Sequence, residues 1–256
     1  EIGLLADSFN EMSRKMRADI DELQRLNEQL VRTEKLAAMG TLAAGVAHEV
    51  NNPLASISSL VQIMRAADGH SDETRERLNL ISAQIERIGQ VTRDMTNFAR
   101  SRPAARGEID VNKVIDTALR LASFDKAFQN LDIERETTKD LPAVHADEDQ
   151  LQQVFLNLFL NSRDAMPDGG TLSIKVSQNE KDLVVEIADD GTGIDSEDVN
   201  QVFDPFFTTK PTGKGTGLGL AVCYGIVTAH GGRIEHKNNV PTGTIFTVSL
   251  PISNET

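Results

Sequence analysis

His48 stands in the run Gly45-Val46-Ala47-His48-Glu49-Val50-Asn51-Asn52-Pro53-Leu54, among small and medium-sized side chains. On a helix surface such neighbours leave an imidazole open to an electrophile, and imidazole is the side chain whose charge changes nearest neutral pH. A lone histidine on a helix is more often structural or a solvated bystander, so its neighbours decide more than the ring does. Asn52 lies four residues on and shares a helical face with His48, where its amide could hold a water against a group carried on the ring. Glu49, adjacent in sequence, points about 100° around the helix and is by spacing the weaker candidate for a general base.

A second cluster is Asn157, Asn161 and Asp164, set in a stretch otherwise filled by Leu151, Val154, Phe155, Leu156, Leu158, Phe159 and Leu160. An amide buried there without partners costs roughly 1–3 kcal/mol. A polar stripe on so apolar a helix therefore calls for a ligand or for a hydrogen-bond network to a neighbouring strand. Asn157 and Asn161 are one turn apart, and their neutral oxygens suit Mg²⁺ when phosphates supply the negative charge.

Three further motifs follow in order: Asp189-Asp190-Gly191-Thr192-Gly193-Ile194, Phe203-Asp204-Pro205-Phe206-Phe207, and Gly213-Lys214-Gly215-Thr216-Gly217-Leu218-Gly219-Leu220. Each alone is a common turn or glycine loop; together, behind the asparagine helix, they are specific. Asp189 at a strand end can accept a hydrogen bond from the exocyclic amine of adenine, and Gly191 and Gly193 let backbone approach a base. Gly213, Gly215, Gly217 and Gly219 allow the chain to fold over phosphates, with amides at the start of the next helix facing the anion. The run lacks the Gly-Lys-Ser/Thr ending of a Walker loop, which disfavours a P-loop or Rossmann reading. Lys210 and Lys214 are candidates for phosphate contact, although isolated loop lysines are more often solvated.

His48 to Pro53 resembles the phosphoacceptor box of sensor histidine kinases, and the three motifs with the asparagine helix resemble the nucleotide-binding boxes of the GHKL (Bergerat) ATPases. The likeness covers about Asp110 to Pro251 and, with the dimerisation helices, nearly the whole chain. It implies His48 as nucleophile, Glu49 as proton acceptor, and Asn52 as an aid to hydrolysis of a phosphorylated regulator. It implies Asn161 as the main Mg²⁺ ligand with Asn157 assisting, Asp189 on adenine, and Phe203 to Gly217 as a mobile lid. Asp164, Phe206, Thr208, Thr216, Leu218 and Thr244 complete the expected ATP-contacting set. Glu1-Ile2-Gly3-Leu4-Leu5 with Phe9-Asn10-Glu11-Met12 resembles the second helix of a HAMP signalling domain, which implies a membrane-anchored sensor upstream. A GHKL ATPase of the chaperone or DNA-repair type would carry a glutamate where Asn157 stands and would leave the histidine helix unexplained. A scaffold that binds nucleotide without transferring its phosphate is the other alternative.

The elements that must position these residues can also be read. Phe9, Met12, Met16, Leu23, Leu26, Leu30, Thr33, Ala37 and Gly40 recur at spacings of three and four, a heptad seam with Asp19 out of phase. A helix from Leu36 to Met64, bent near Pro53, turns at Ala66 to Ser71. A second helix, N-capped by Ser71 and beginning its return at Thr74, carries Leu78, Ile81, Ile85, Ile88, Val91, Met95 and Phe98. Two such helices bury little alone, so a homodimeric four-helix bundle is expected. Ser101 to Gly107 reads as a hinge. Beyond it the pattern predicts helices over Val111–Phe124, Asp149–Met166 and Leu218–Ala229. Strands are predicted near Ile133 and over Thr171–Ser177, Leu183–Ala188, Arg233–His236 and Thr244–Leu250.

The expected architecture is therefore multidomain: an all-α antiparallel hairpin dimerising into a four-helix bundle, plus an α+β two-layer sandwich. The expected bounds are 1–18 for the end of a HAMP helix, 19–36 for a coiled-coil connector, 37–101 for the dimerisation and phosphotransfer domain, 102–108 for the hinge, and 109–252 for the ATP-binding domain. With 39 acidic and 26 basic side chains the formal charge is -13, which would repel a nucleic-acid backbone. The single cysteine, Cys223, fits a reducing compartment and a small buried apolar role. His70, His145, His230 and His236 show no metal-ligand spacing. No run approaches the ~20 apolar residues that cross a bilayer, and no signal-peptide pattern opens the chain. The chain is thus expected to be soluble, the cytoplasmic portion of a bacterial inner-membrane protein. Its partner is expected to be the receiver domain of a response regulator.

Overall fold

The computed structural model describes residues 12, 14–17, 19–20, 46, 50–67, 71–99, 105–138, 141–211 and 215–252, without the side chains of 90, 93–95 and 97–99. Most of the expected HAMP helix and most of the expected connector, with His48, Glu49, Gly213 and Lys214, lie outside the described residues.

Residues 50–66 are helical (α1) and pass through Pro53 without a break in the helix, and α2 spans Asp72–Ala99. Ser71 starts α2 as anticipated, its hydroxyl accepting the Thr74 N–H at 3.2 Å, with Asp72 and Glu73 in the first turn complementing the helix dipole. The helix begins at Asp72, two residues before the expected return, because a capped first turn places the cap immediately ahead of it. Leu54, Val61, Leu78 and Thr92 are buried in this hairpin, and Thr92 Oγ1 donates to Asn51 Oδ1 at 2.7 Å. Asn51 thereby ties the two helices together one residue before the exposed Asn52.

In the second unit, β1 (Gly107–Ile109) precedes α3 (Val111–Ala122), β2 (Leu131–Thr137), β3 (Val144–Ala146) and α4 (Glu148–Ala165). Then come β4 (Gly170–Gln178), β5 (Asp182–Asp189), α5 (Gly219–Ala229), β6 (Arg233–Asn238) and β7 (Thr244–Pro251). The five-stranded sheet has the order β2-β4-β5-β7-β6, with β2 parallel to β4 and the other pairs antiparallel. The short strands β1 and β3 form a separate antiparallel pair, too brief to leave a period-2 signal in the sequence.

Period-2 alternation turns Leu172, Ile174 and Val176 of β4, Leu183, Val185 and Ile187 of β5, and Phe246, Val248 and Leu250 of β7 to one buried face. The apolar stripe of α4 (Leu151, Val154, Phe155, Leu158 and Phe159) closes the core over it with Val111, Val114, Ile115 and Ala118 of α3. Asp110 caps α3 by accepting the Asn112 N–H, and Asp147 caps α4 by accepting the Gln150 N–H. Asp147 also accepts the Ala105 N–H at 2.9 Å, and the Arg106 guanidinium donates to Ala229 O at 2.6 Å. The end of the stretch read as a hinge is thus bonded to the sandwich.

Cys223 is fully buried, and burial pushes its thiol up to about 12. The native protein should therefore react with an aromatic disulfide reagent only as it unfolds. Colour development within minutes in native buffer, at the rate seen in denaturant, would contradict this packing.

Candidate functional site

The alternation that builds β5 also delivers its carboxylate. Leu183, Val185 and Ile187 face inward, so Asp189, two residues further, is turned to the same side and is 2% exposed. Three neutral donors hold it there. Oδ1 accepts the N–H of Gly191 at 3.1 Å and of Thr244 at 3.0 Å, while Oδ2 accepts Ser162 Oγ at 3.1 Å. Desolvation, with a smaller contribution from Asp190, pushes the Asp189 carboxyl above its ordinary value despite these bonds.

A cleft of about 800 Å³, the size of a small-molecule site, opens beside Asp189. Asn161 and Asp164 line it from α4, Gly193 and Ile194 from the loop after β5, and Thr244 and Phe246 from β7. Thr208, Lys210, Gly215, Thr216 and Gly217 line it from the segment before α5, and Gly219 and Leu220 from the start of α5 itself. The first intrahelical bond of α5 runs from Val222 N–H to Leu218 O, so the earlier amides lie at the positive end of the helix dipole, at the cleft. Arg87 and Val91 of α2 also line it.

Other expected contacts lie elsewhere. Asn157 is one turn from Asn161 but does not line the cleft; its Nδ2 donates to Gly219 O at 3.4 Å and ties α4 to α5. Phe203 belongs to the core, 5% exposed, with ring centroids 5.7 Å from Tyr224 and 5.5 Å from His236. Phe206 is half-exposed at φ 66°, bonded from its N–H to Gly217 O at 2.9 Å. Gly217 needs its missing side chain, since a Cβ there would stand 2.4 Å from the Phe206 carbonyl carbon. Leu218 is buried, and Gly191 packs on α4, where a Cβ would meet Ala165 O at 2.6 Å.

Of the shell around Asp189, sequence reading named Gly191 and Thr244 but missed Ser162, Asn239 and Thr242. Ser162 sits four residues past Leu158 on the buried stripe of α4, a hydroxyl at an apolar position, and that spacing was the available signal. Asn239 Nδ2 donates to Asp189 O at 2.9 Å and Thr242 Oγ1 to Asp190 O at 3.2 Å, from a loop that reads only as a turn. Among the remaining histidines, His230 is buried. Its Nε2 accepts the Asp147 N–H at 3.0 Å, so Nδ1, 2.8 Å from Ile226 O, is the nitrogen that carries the proton.

A buried carboxylate at a strand end, a glycine-rich segment leading into a helix, and an asparagine helix, joined to a helical hairpin, define the class. Residues 38–104 match the His Kinase A (phospho-acceptor) domain, and residues 146–254 match the histidine kinase-, DNA gyrase B-, and HSP90-like ATPase. The sensor histidine kinase ZraS of Escherichia coli K12 is 34% identical over 230 residues, 90% of this chain and 49% of that protein. Sporulation kinase C of Bacillus subtilis 168 is 33% identical over 237 residues, 92% of this chain and 54% of that protein. The catalytic domain of the histidine kinase ThkA is 31% identical with a TM-score of 0.52, covering 57% of this chain and 97% of that one. ThkA in complex with the response regulator protein TrrA gives a TM-score of 0.63 at 27% identity, covering 91% of this chain and 67% of that chain. The chain belongs to the sensor histidine kinases. It spans about half the length of the curated relatives it matches.

Proposed function

We propose that the chain transfers the γ-phosphoryl group of ATP to His48 and then to an aspartate on the receiver domain of a response regulator. Asn52 would support the reverse hydrolysis of the phosphorylated regulator. The observation that carries this reading is the convergence of Asp189, Asn161, Thr216 and the start of α5 on one cleft, in a chain whose sequence sets His48 four residues before Asn52.

Asp189 would accept the adenine amine, and Gly215 to Gly219 with Lys210 would face the phosphates. An imidazole nitrogen of His48 would attack the γ-phosphorus. The bond from that phosphorus to the bridging oxygen breaks, ADP leaves with the electron pair, and Glu49 would take the proton of the other ring nitrogen. Positioning and charge neutralisation supply most of the rate in such transfers. The cleft suits Mg²⁺, because the Asn161 and Asp164 oxygens already accept an ammonium there. Asn161 would hold the ion, which neutralises phosphate charge when bound. Asn157 would join it only by releasing Gly219.

Ile57, Leu60, Ile63, Met64, Leu80, Ile81 and Ile88 are exposed on the hairpin, a patch that a second copy would cover in a four-helix bundle. The complex between ThkA and a response regulator supports the regulator as partner. No helix among the described residues is long and apolar enough to cross a membrane. The sensor relatives favour a place on the cytoplasmic side of a bacterial inner-membrane receptor.

The test is incubation of the 256-residue chain with γ-labelled ATP and Mg²⁺. Acid-labile, alkali-stable label is expected on the protein and none on His48→Gln, with binding of a non-hydrolysable ATP analogue preserved in both. Nucleotide binding without label on the unaltered chain would favour the scaffold reading instead.

A further inference from the structure

We propose that Lys210 makes metal binding at Asn161 conditional on nucleotide, by holding with its own ammonium the oxygens that a divalent ion would take. The inference rests on Asn161 being the metal-holding residue of the proposed kinase.

Lys210 Nζ donates to Asn161 Oδ1 at 3.0 Å and to Asp164 Oδ2 at 2.5 Å. Asp164 cannot swing away freely, because its Oδ1 accepts Arg163 Nε at 2.9 Å, and Arg163 is anchored in turn on Asp125 at 2.6 Å. The lysine is held at its other end too, its backbone N–H donating to Thr208 Oγ1 at 3.2 Å. Its stem runs past Gly215, where a Cβ would stand 3.2 Å from Lys210 Cδ and 2.9 Å from Thr208 Oγ1. The glycine segment thus leaves the corridor through which this side chain reaches α4.

The ammonium and a divalent cation compete for the same oxygen on Asn161. With the side chains of Lys210 and Asp164 only 31% and 26% exposed, solvent screens their pairing less than on an open surface. An ion arriving alone meets a fixed positive charge and offers the lysine no new partner. Phosphates arriving with the ion change both terms: they attract the ammonium away from α4 and add negative charge beside the freed oxygens. The site therefore discriminates metal–nucleotide from metal alone, and the discrimination resides in Lys210.

The probe is Mn²⁺ without nucleotide, its free concentration read by electron paramagnetic resonance in solutions of the full 256-residue chain. Lys210→Met is expected to bind Mn²⁺ roughly tenfold more tightly than the unaltered chain. The gain should vanish when Asn161→Ala is added, and Lys210→Arg, which keeps the charge, should behave as the unaltered chain does. Equal Mn²⁺ binding with and without Lys210→Met, or a gain that survives Asn161→Ala, would overturn the proposal. Asn161→Ala alone separates the two readings, with Mn²⁺ and an ATP analogue present together. Undiminished binding removes Asn161 as the metal residue. Weakened binding, beside a silent Lys210→Met, removes only the role of Lys210.

Discussion

Gly243→Ala is expected to lower the melting temperature by about 6–12 °C, corresponding to about 3 kcal/mol in a domain of this size. Gly243 adopts φ 104°, and a Cβ there would lie 1.9 Å from Asp189 O, 2.7 Å from the Asp189 carbonyl carbon and 2.8 Å from Asp190 Cα. All three are backbone atoms, so no side-chain rotation relieves the clash. The Gly243 carbonyl also accepts the Asn239 N–H at 2.8 Å, in the same turn from which Asn239 reaches Asp189 O. The substitution should therefore weaken nucleotide binding as well as stability. Gly225→Ala supplies the contrast. It lies inside α5, where a Cβ would have nothing within 4 Å, and alanine there should raise the melting temperature by about 1–4 °C. Calorimetry on the two variants checks both signs, and a Gly243→Ala protein melting within about 2 °C of the parent would mean that the turn relaxes without cost.

Asp189→Asn should weaken ATP binding on the order of 10²-fold while the fold survives. An asparagine oxygen can still accept the Gly191 and Thr244 amides, and Ser162 can reverse its hydroxyl to accept from the new NH₂. What it cannot supply is a charged acceptor for an amine, a loss of about 2–3 kcal/mol. The pH dependence has opposite signs for folding and for binding. Desolvation raises the folded-state pKa of Asp189 above its unfolded value. Its contribution to stability is therefore fully present below the unfolded value and is lost as pH rises through the folded one. Binding needs the carboxylate, so affinity should fall as pH drops through that same raised value. Calorimetric titration with an ATP analogue across mildly acid pH would show a decline in the parent that Asp189→Asn lacks. Parallel profiles in the two proteins would remove Asp189 from the adenine contact.

Much of the cleft was legible because its determinants are local. The apolar stripe of α4 and the alternation of β5 and β7 announce which faces are buried, and Asp189, just past one such alternation, reads as a carboxylate at a strand end; its burial came only with the structure. Glycines before a helix announce backbone near an anion, and Ser71 sits where capping chemistry demands it; the caps Asp110 and Asp147 emerged only with the structure. Phe203 shows the limit: its neighbours in the chain suggest a lid, whereas Tyr224, His236 and Phe246, distant in sequence, claim it for the core.

The sequence alone therefore determined the longer elements, the faces they bury and the residue types available for chemistry, since periodicity and capping depend on neighbours within one or two turns, while the short pair of β1 and β3 left no such signal. Only the tertiary structure decided which polar groups meet. It paired Ser162 and Thr244 with Asp189, directed Asn157 to Gly219 instead of the cleft, and laid Lys210 across Asn161 and Asp164. Those pairings join residues 27 to 62 positions apart, and strand order and loop path, which no local pattern encodes, bring them within hydrogen-bond reach.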